Sequence, residues 1–136
     1  MDIEVFTLCD AAADYQGRLS ILGIFDTIYA TTLPAVHPQC AVAVRIRFEK
    51  IEEGKHILTL HVVDADGNMV IPPLNGEFSV QLLRNDRQGA INLVLNLQGL
   101  LFNRYGDYAV NLAVDNHRLG NVPFWVKNPV SQETES

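Results

Sequence analysis

The chain has 136 residues, the size of one domain, and 48% of them are apolar, close to the average of globular proteins. Its formal net charge of -6 and pI ≈ 5.0 describe an acidic surface, which repels duplex nucleic acid and anionic membranes. Composition therefore predicts one globular domain with neither nucleic acid nor a membrane as its partner.

The N-terminus gives no sign of export. Its first residues, MDIE, are acidic where a secretory signal would be basic, and no apolar segment of a signal follows. No apolar run reaches the roughly 20 residues that a membrane-spanning helix needs. We therefore expect a cytoplasmic protein in which Cys9 and Cys40 are reduced thiols.

The first predicted element is a strand at residues 3–9, followed by a loop at residues 10–17 and a returning strand at residues 19–28. Cys9 shares the parity of the apolar side chains in the first strand, so we expect it in the core as a small hydrophobic residue. Gly23 interrupts the returning strand, which indicates a bulge or a close approach of another part of the chain.

The segments that follow alternate apolar and polar residues with a period of two, which is typical of strands buried on one face. The alternating runs cover residues 40–49, 56–64, 91–98 and 108–114. Between them stand the turn sequences EEGK, DADGN, RNDRQG and DNHR, and the two prolines of IPPLNG interrupt the ladder. About nine short strands with turns every ~8–12 residues are typical of an all-β sandwich or barrel.

We predict an antiparallel β-sandwich, immunoglobulin-like or related, over residues 1–128, with a flexible polar tail at residues 129–136. Tyr108 follows a glycine at the start of a predicted strand. Immunoglobulin-like domains have a tyrosine at such a place, with its hydroxyl bonded to the backbone a few residues upstream, so Tyr108 is the candidate for that tyrosine corner.

The order of several short motifs resembles a family of small bacterial proteins catalogued as a domain of unknown function. The motifs, which together span most of the chain, are LCDAA at residues 8–12, GRLSILGIFDTI at residues 17–28, Pro34, DADG at residues 64–67, and GDYAV with VDN near the end. The resemblance implies an all-β, sandwich-type domain, and it transfers no activity, substrate or catalytic residue.

Acidic and histidine side chains of the predicted turns form a candidate metal site. If successive strands run antiparallel, we expect one end of the sandwich to collect His37, Asp64, Asp66, Asp86, Asp115 and His117. The other end then holds Asp10, Asp14, Glu52 and Glu53. Carboxylate and imidazole groups are ligands for divalent cations. The alternative is that these turns use aspartate for local hydrogen bonds and bind no ligand.

No segment matches a phosphate-binding loop, a dinucleotide-binding loop or the G-x-S-x-G elbow of serine hydrolases. We therefore predict no catalytic residue and no cofactor.

A candidate interface comes from apolar side chains at outward positions or in a segment that is apolar on both faces. These residues are Ile24, Phe25, Ile57, Val63 and Trp125. Such positions are covered either by the protein's own fold or by a partner, which predicts a homo-oligomer or a protein partner. The leading functional prediction is a non-catalytic binding or assembly module that acts through protein–protein contacts. The alternative is weak metal binding, or a metal-dependent enzyme, at the loop end near His37, Asp64 and His117.

Overall fold

The computed structural model describes residues 1–130, in which nine strands and one short 3-10 helix follow one another along the chain. They are β1 (Asp2–Tyr15), β2 (Arg18–Ile24), β3 (Thr27–Tyr29), β4 (Ala35–Glu49), η1 (Lys50–Glu52), β5 (Gly54–Asp64), β6 (Leu74–Val80), β7 (Gln88–Phe102), β8 (Gly106–Val114) and β9 (His117–Lys127). The tail predicted at residues 129–136 lies, from residue 131 onward, outside the described residues.

The strands form two sheets, with the orders β2-β1-β4-β7 and β3-β9-β8-β5-β6. Neighbouring strands are antiparallel except for β3 and β9, which pair in parallel. The predicted all-β antiparallel sandwich of about nine strands is confirmed. Its immunoglobulin-like form stays a prediction.

The core lies between the sheets and is built from the inward rows that the alternation predicted. Val42, Val44 and Ile46 of β4 are fully buried. Across the interface the buried rows of β5 and β8 include Leu58, Leu60, Val62, Val110 and Leu112. Burial of these side chains is the main favourable term in the stability of the fold.

Tyr108 fixes the corner where β8 begins. Its hydroxyl donates a 2.7 Å hydrogen bond to the carbonyl of Arg104, four residues upstream. Its ring packs edge-on against Phe102 at 5.0 Å and is stacked on Phe124 at 5.3 Å between centroids. The contact predicted for a tyrosine corner is therefore present.

The first hairpin differs from the prediction. Strand β1 does not end at Cys9 but continues to Tyr15, so the predicted loop at residues 10–17 is wrong. The turn consists of Gln16 and Gly17, whose φ angles of 51° and 80° are those of a tight hairpin turn. The three alanines at residues 11–13 pair with β2 through their backbone, but three like residues in a row show no alternation of apolar and polar side chains. The sequence pattern therefore does not indicate that the strand continues there.

Gly23 of β2 lies beside the side chain of Asp10 of β1. Its φ angle is 69°, and a β-carbon at this position would collide with the carboxylate of Asp10. Both facts require glycine, which confirms the close approach predicted from its place in the strand.

The tip of the first hairpin lies over the outer face of the four-stranded sheet. The side chain of Asn92 on β7 donates to the carboxylate of Asp14 at 2.8 Å and to the carbonyl of Gly17 at 3.1 Å, although β4 separates β7 from β1 in the sheet. Under the tip lies a second small core, formed by Cys9, Ala41 and Ala43 with Ala12, Leu19, Ile21 and Val94 packed against it. Cys9 is buried as expected, but in this outer cluster.

Candidate functional site

The residues predicted to bind a metal do not meet at one end of the sandwich. Strands β5 and β8 pair antiparallel, with Asp64 opposite Tyr108, so the turn after Asp64 and the turn that starts at Asp115 lie at opposite ends of the sheet. Asp115 and His117 therefore lie near Glu52, whereas Asp64 and Asp66 lie near the start of β8. Among residues 1–130, no group of three or more His, Cys, Asp or Glu side chains is placed to hold a metal ion.

At the end of the sandwich where β8 begins, the Asp64 side chain stabilises the turn after β5. One carboxylate oxygen accepts the backbone N–H groups of Asp66 and Asn68, both at 2.9 Å, and the other lies 3.0 Å from the guanidinium of Arg104. Burial opposes ionisation of this carboxyl, but these donors outweigh it and keep its pKa below the usual value. Arg104 also contacts the Asp66 carboxylate at 3.0 Å. These two acids thus make the local hydrogen bonds of a turn and contact Arg104, whose carbonyl accepts the Tyr108 hydroxyl.

His37 belongs to the same end of the sandwich but faces another element. Its ring lies 5.6 Å from the ring of Phe25, centroid to centroid. Its Nε2 atom is buried and has no hydrogen-bond partner among the described residues. His37 therefore lines the rim of the apolar core beside Phe25.

At the opposite end, His56 joins two elements through both ring nitrogens. Nδ1 lies 2.6 Å from the carboxylate of Asp115, and Nε2 lies 2.6 Å from the carbonyl of Glu52. Both neighbours are acceptors, so the ring satisfies both contacts when it is protonated and donates twice. The carboxylate of Asp115, and after it the Glu52 carbonyl, raises the pKa of His56.

Further contacts extend this network to the N-terminus. The amino group of Met1 lies 2.7 Å from the carboxylate of Glu52, which lowers the pKa of that carboxyl and raises the pKa of the amine. The second oxygen of Asp115 accepts the backbone N–H of Ile57 at 2.9 Å. Because both ring nitrogens of His56 lie against acceptors within the protein, the arrangement is a structural lock between β5 and the β8–β9 turn. No motif in the sequence marks His56.

The two cysteines are unsuited to nucleophilic chemistry. Burial raises the pKa of the Cys9 thiol, and burial raises the pKa of Cys40 to about 11. A thiol reacts as its thiolate, so both groups are unreactive at neutral pH. Cys9 Sγ lies 3.6 Å from the carbonyl of Ala41 and donates a weak hydrogen bond there.

The residues predicted as an interface are spread over different surfaces. Ile24 lies on edge strand β2 and is 67% exposed. Ile57, Val63 and Trp125 lie on the outer face of the five-stranded sheet, where the ammonium of a neighbouring lysine is 5.8 Å from the Trp125 ring centroid. Phe25 packs against the main core of its own domain.

The open side of β7 is a surface that sequence analysis did not identify. In the part of the chain that the structure describes, β7 pairs only with β4 and ends its sheet. Its 15 residues, QGAINLVLNLQGLLF, include no charged side chain. A strand of that length presents a row of backbone donors and acceptors roughly 50 Å long.

The inward row of β7 is apolar and partly uncovered. Leu95, Leu93 and Ile91 stand directly opposite Val42, Val44 and Ile46 in the register of β4 and β7. The β4 residues are fully buried, whereas their β7 partners are only partly buried and pack at the rim of the core. Within residues 1–130, the sandwich is therefore open along β7, in both its hydrogen bonds and its apolar packing.

Natural edge strands are usually protected by lysine, proline, a bulge or a short length. Among the strands of residues 1–130 that are longer than three residues, β7 is the one without a charged residue. The uncharged run between Arg87 and Arg104 is visible in the sequence. Its significance depends on the pairing order, which a sequence does not give.

No helix among the described residues is long and apolar enough to cross a membrane. No curated protein matches the chain. A solved structure with a similar arrangement is the Pseudomonas fluorescens alkylpurine DNA glycosylase AlkC bound to DNA containing an abasic site analog, with 12% sequence identity and a TM-score of 0.48. The match covers 93% of this chain, which spans only 30% of the length of that protein.

The prediction that excludes nucleic acid as a partner is withdrawn, since one similar structure is bound to DNA. At 12% identity and a TM-score of 0.48, the likeness assigns no partner to this chain. The physical weakness of the prediction is that a net charge averages over the whole surface, whereas a binding site depends on local charge. What the glycosylase binds is a property of that protein.

The resemblance found in the sequence is confirmed by a family model that matches residues 4–127, nearly the whole chain. The chain belongs to this family, the family of unknown function DUF6941.

Proposed function

We propose that the protein is a non-catalytic binding or assembly module that acts through protein–protein contacts, and that its contact site is the open edge of β7. The observation that carries the proposal is that β7, a strand of 15 residues without a charged side chain, is an edge strand among the described residues. We place the protein in the cytoplasm, a reducing compartment that suits the buried free thiols Cys9 and Cys40.

An added strand is the natural complement of such an edge. Main-chain hydrogen bonds supply affinity without requiring a particular sequence, and the side-chain rows supply selectivity. The partly buried Leu93 and Leu95 would gain cover from an incoming apolar side chain on the core side. The outward row offers the exposed Asn96 and Gln98, which suit polar neighbours.

The other edges are less suitable. Strand β3 has three residues, β6 has seven with Glu77 among them, and β2 has seven with Arg18 at its start. Short and charged edges resist pairing with a new strand. The metal-dependent alternative is not carried forward, because Asp64 and His117 lie at opposite ends of the sandwich.

Site-specific photo-crosslinking in the cells that naturally make the protein tests this function. A photoreactive amino acid replaces Asn96 on β7, and in a matched control it replaces Ser20, which is also exposed but lies on β2. We expect a protein crosslink from position 96 and none, or much less, from position 20. No crosslink to any protein from position 96, or equal crosslinks from both positions, contradicts the proposal.

A further inference from the structure

We propose that the strand that covers β7 is β7 of a second copy of this chain, so that two molecules pair antiparallel about a two-fold axis and join their four-stranded sheets into one of eight strands. This inference rests on the proposed function, since it names the partner of the same edge. Two-fold dimers are the most common closed assemblies, and in them the same patch faces itself.

The charge pattern favours self-pairing. In a two-fold contact, a charged residue close to the axis lies near its own copy, and like charges on paired strands are destabilising. Strand β7 avoids this penalty, since its first flanking charges are Arg87 and Arg104, just beyond the two ends of the strand. A partner strand of opposite charge would have no charge on β7 to recognise.

The shape of β7 defines the segment that can pair. Near one end, the side chain of Leu82 packs against Gly89. Near the other end Gly99, with a φ angle of 63°, stands opposite Pro38, and beyond it the buried parity changes from Leu97 to Leu100. Residues 90–98 between these points form the regular stretch, and Val94 is its centre.

Antiparallel pairing about Val94 places apolar side chains opposite apolar side chains and amide side chains opposite amide side chains. Residues opposite each other lie on one face, so Leu93 faces Leu95 of the second copy and Ile91 faces Leu97. The rim of each core is thereby covered by the rim of the other. On the outward face, Asn92 meets Asn96 of the second copy. The Asn92 side chain already donates to Asp14 and Gly17, so its oxygen, which also accepts from Arg45, is the atom that can accept from the Asn96 amide.

The pairing adds a substantial contact. Residues 90–98 on two strands form on the order of ten backbone hydrogen bonds. The apolar rims, which are partly exposed in one copy, are removed from water at the same time. Both contributions come from groups that no other described residue of the same copy covers.

Measurement of molar mass by light scattering, at tens of micromolar protein, tests the inference. The wild-type chain is expected at twice its 15.1 kDa mass. In the variant Asn96→Lys/Gln98→Lys, each lysine at 96 would approach Asn92 of the other copy, which Arg45 already contacts at 2.8 Å. We expect the average mass of this variant to fall from the dimer toward the monomer value, with a dissociation constant raised about tenfold or more.

The matched control is Ser20→Lys/Leu22→Lys, which adds the same charge to two exposed positions of edge strand β2. It is expected to remain dimeric. Circular dichroism and the unfolding midpoint establish that both variants fold. A monomeric wild type, a β7 variant that remains dimeric, or a dimer lost in the β2 control overturns the inference. If the wild type is monomeric and position 96 crosslinks to a different protein, only self-pairing fails and the proposed function stands.

Discussion

Val44 and Leu93 stand directly opposite each other in the register of β4 and β7, yet Val44 is fully buried and Leu93 is only partly buried. Both side chains point into the core. The difference arises because, among residues 1–130, β4 has a neighbouring strand on each side and β7 has one. The pair thus marks the place where the core of one chain ends at an open edge.

The first prediction uses this pair. If β7 pairs with a second copy, the unfolding midpoint of the wild type rises with protein concentration, because association stabilises the folded state. Leu93→Ala should weaken that dependence. Val44→Ala removes contacts inside one copy, so it should lower the midpoint at all concentrations and leave the dependence in place. Thermal unfolding over a hundredfold range of concentration checks this; equal slopes for the wild type and Leu93→Ala would argue against an apolar contact at the rim.

The second prediction concerns the corner at Tyr108. Tyr108→Phe removes the hydroxyl that donates to the Arg104 carbonyl and keeps the ring between Phe102 and Phe124. We expect a loss of about 1 kcal/mol in the free energy of unfolding, the usual net value of one hydrogen bond. Urea denaturation measures it. Tyr29→Phe on the exposed side of β3 is the control and should change stability by less than about 0.5 kcal/mol. Equal effects of the two changes would remove the special role of Tyr108.

The third prediction concerns Gly23. Gly23→Ala adds a β-carbon at a φ angle of 69° and forces it against the carboxylate of Asp10. The left-handed conformation alone costs an L-residue roughly 1–2 kcal/mol, and the collision adds to it. Asp10→Gly should therefore recover part of the loss, and a double-mutant cycle measures that part. Gly76→Ala is the control, because its β-carbon meets open space; an effect as large as that of Gly23→Ala would contradict the steric explanation.

The fourth prediction is a pH dependence from the lock at His56. The pKa of His56 is raised in the folded state, so its contribution to stability is present below the unfolded value of about 6.5 and is lost as the pH rises through the folded-state pKa. The pKa of Asp115 is lowered, so its contribution is present above its unfolded value of roughly 3.9 and is lost as the pH falls through the folded-state pKa. The pair is therefore most stabilising in the window between these limits.

The unfolding midpoint as a function of pH tests the lock. Other groups near His56 are Glu52, His117 and the amine of Met1, whose raised pKa gives a separate loss of stability at higher pH. In Asp115→Asn, the fall in the unfolding midpoint that His56 causes as the pH rises should disappear, and the fall caused by the Met1 amine should remain. His61→Gln removes an imidazole of the same strand outside the network, so both falls in the midpoint should remain. A wild-type curve unaltered by Asp115→Asn would show that the contact does not stabilise the fold.

Much of the fold follows from the sequence because strands that are buried on one face alternate apolar and polar residues. The rows of Val42 and Val44 in β4 and of Leu60 in β5 face the core as predicted, and Trp125 faces outward. Tyr108 was placed correctly because a tyrosine corner depends on local sequence.

Other features depend on contacts between distant parts of the chain. The alanines of β1 pair as a strand without an apolar period, so the first hairpin was predicted too short. Whether Asp64 and Asp115 are predicted at the same end of the sandwich depends on the exact number of strands between them. One strand more or less moves one of them to the opposite end. The lock at His56 joins residues 59 positions apart, and a single sequence carries no sign of it.

The inference that two chains pair through β7 is tested most directly by amide hydrogen exchange at residues 90–98, measured at high protein concentration and after dilution. Backbone N–H groups on the open side of the strand are protected when a second copy pairs there, and their exchange should accelerate on dilution while the amides of β4 stay slow. In the Asn96→Lys/Gln98→Lys variant, the N–H groups on the open side of β7 should exchange rapidly at every protein concentration. Exchange at residues 90–98 that is independent of concentration and identical in the wild type and this variant would contradict the account.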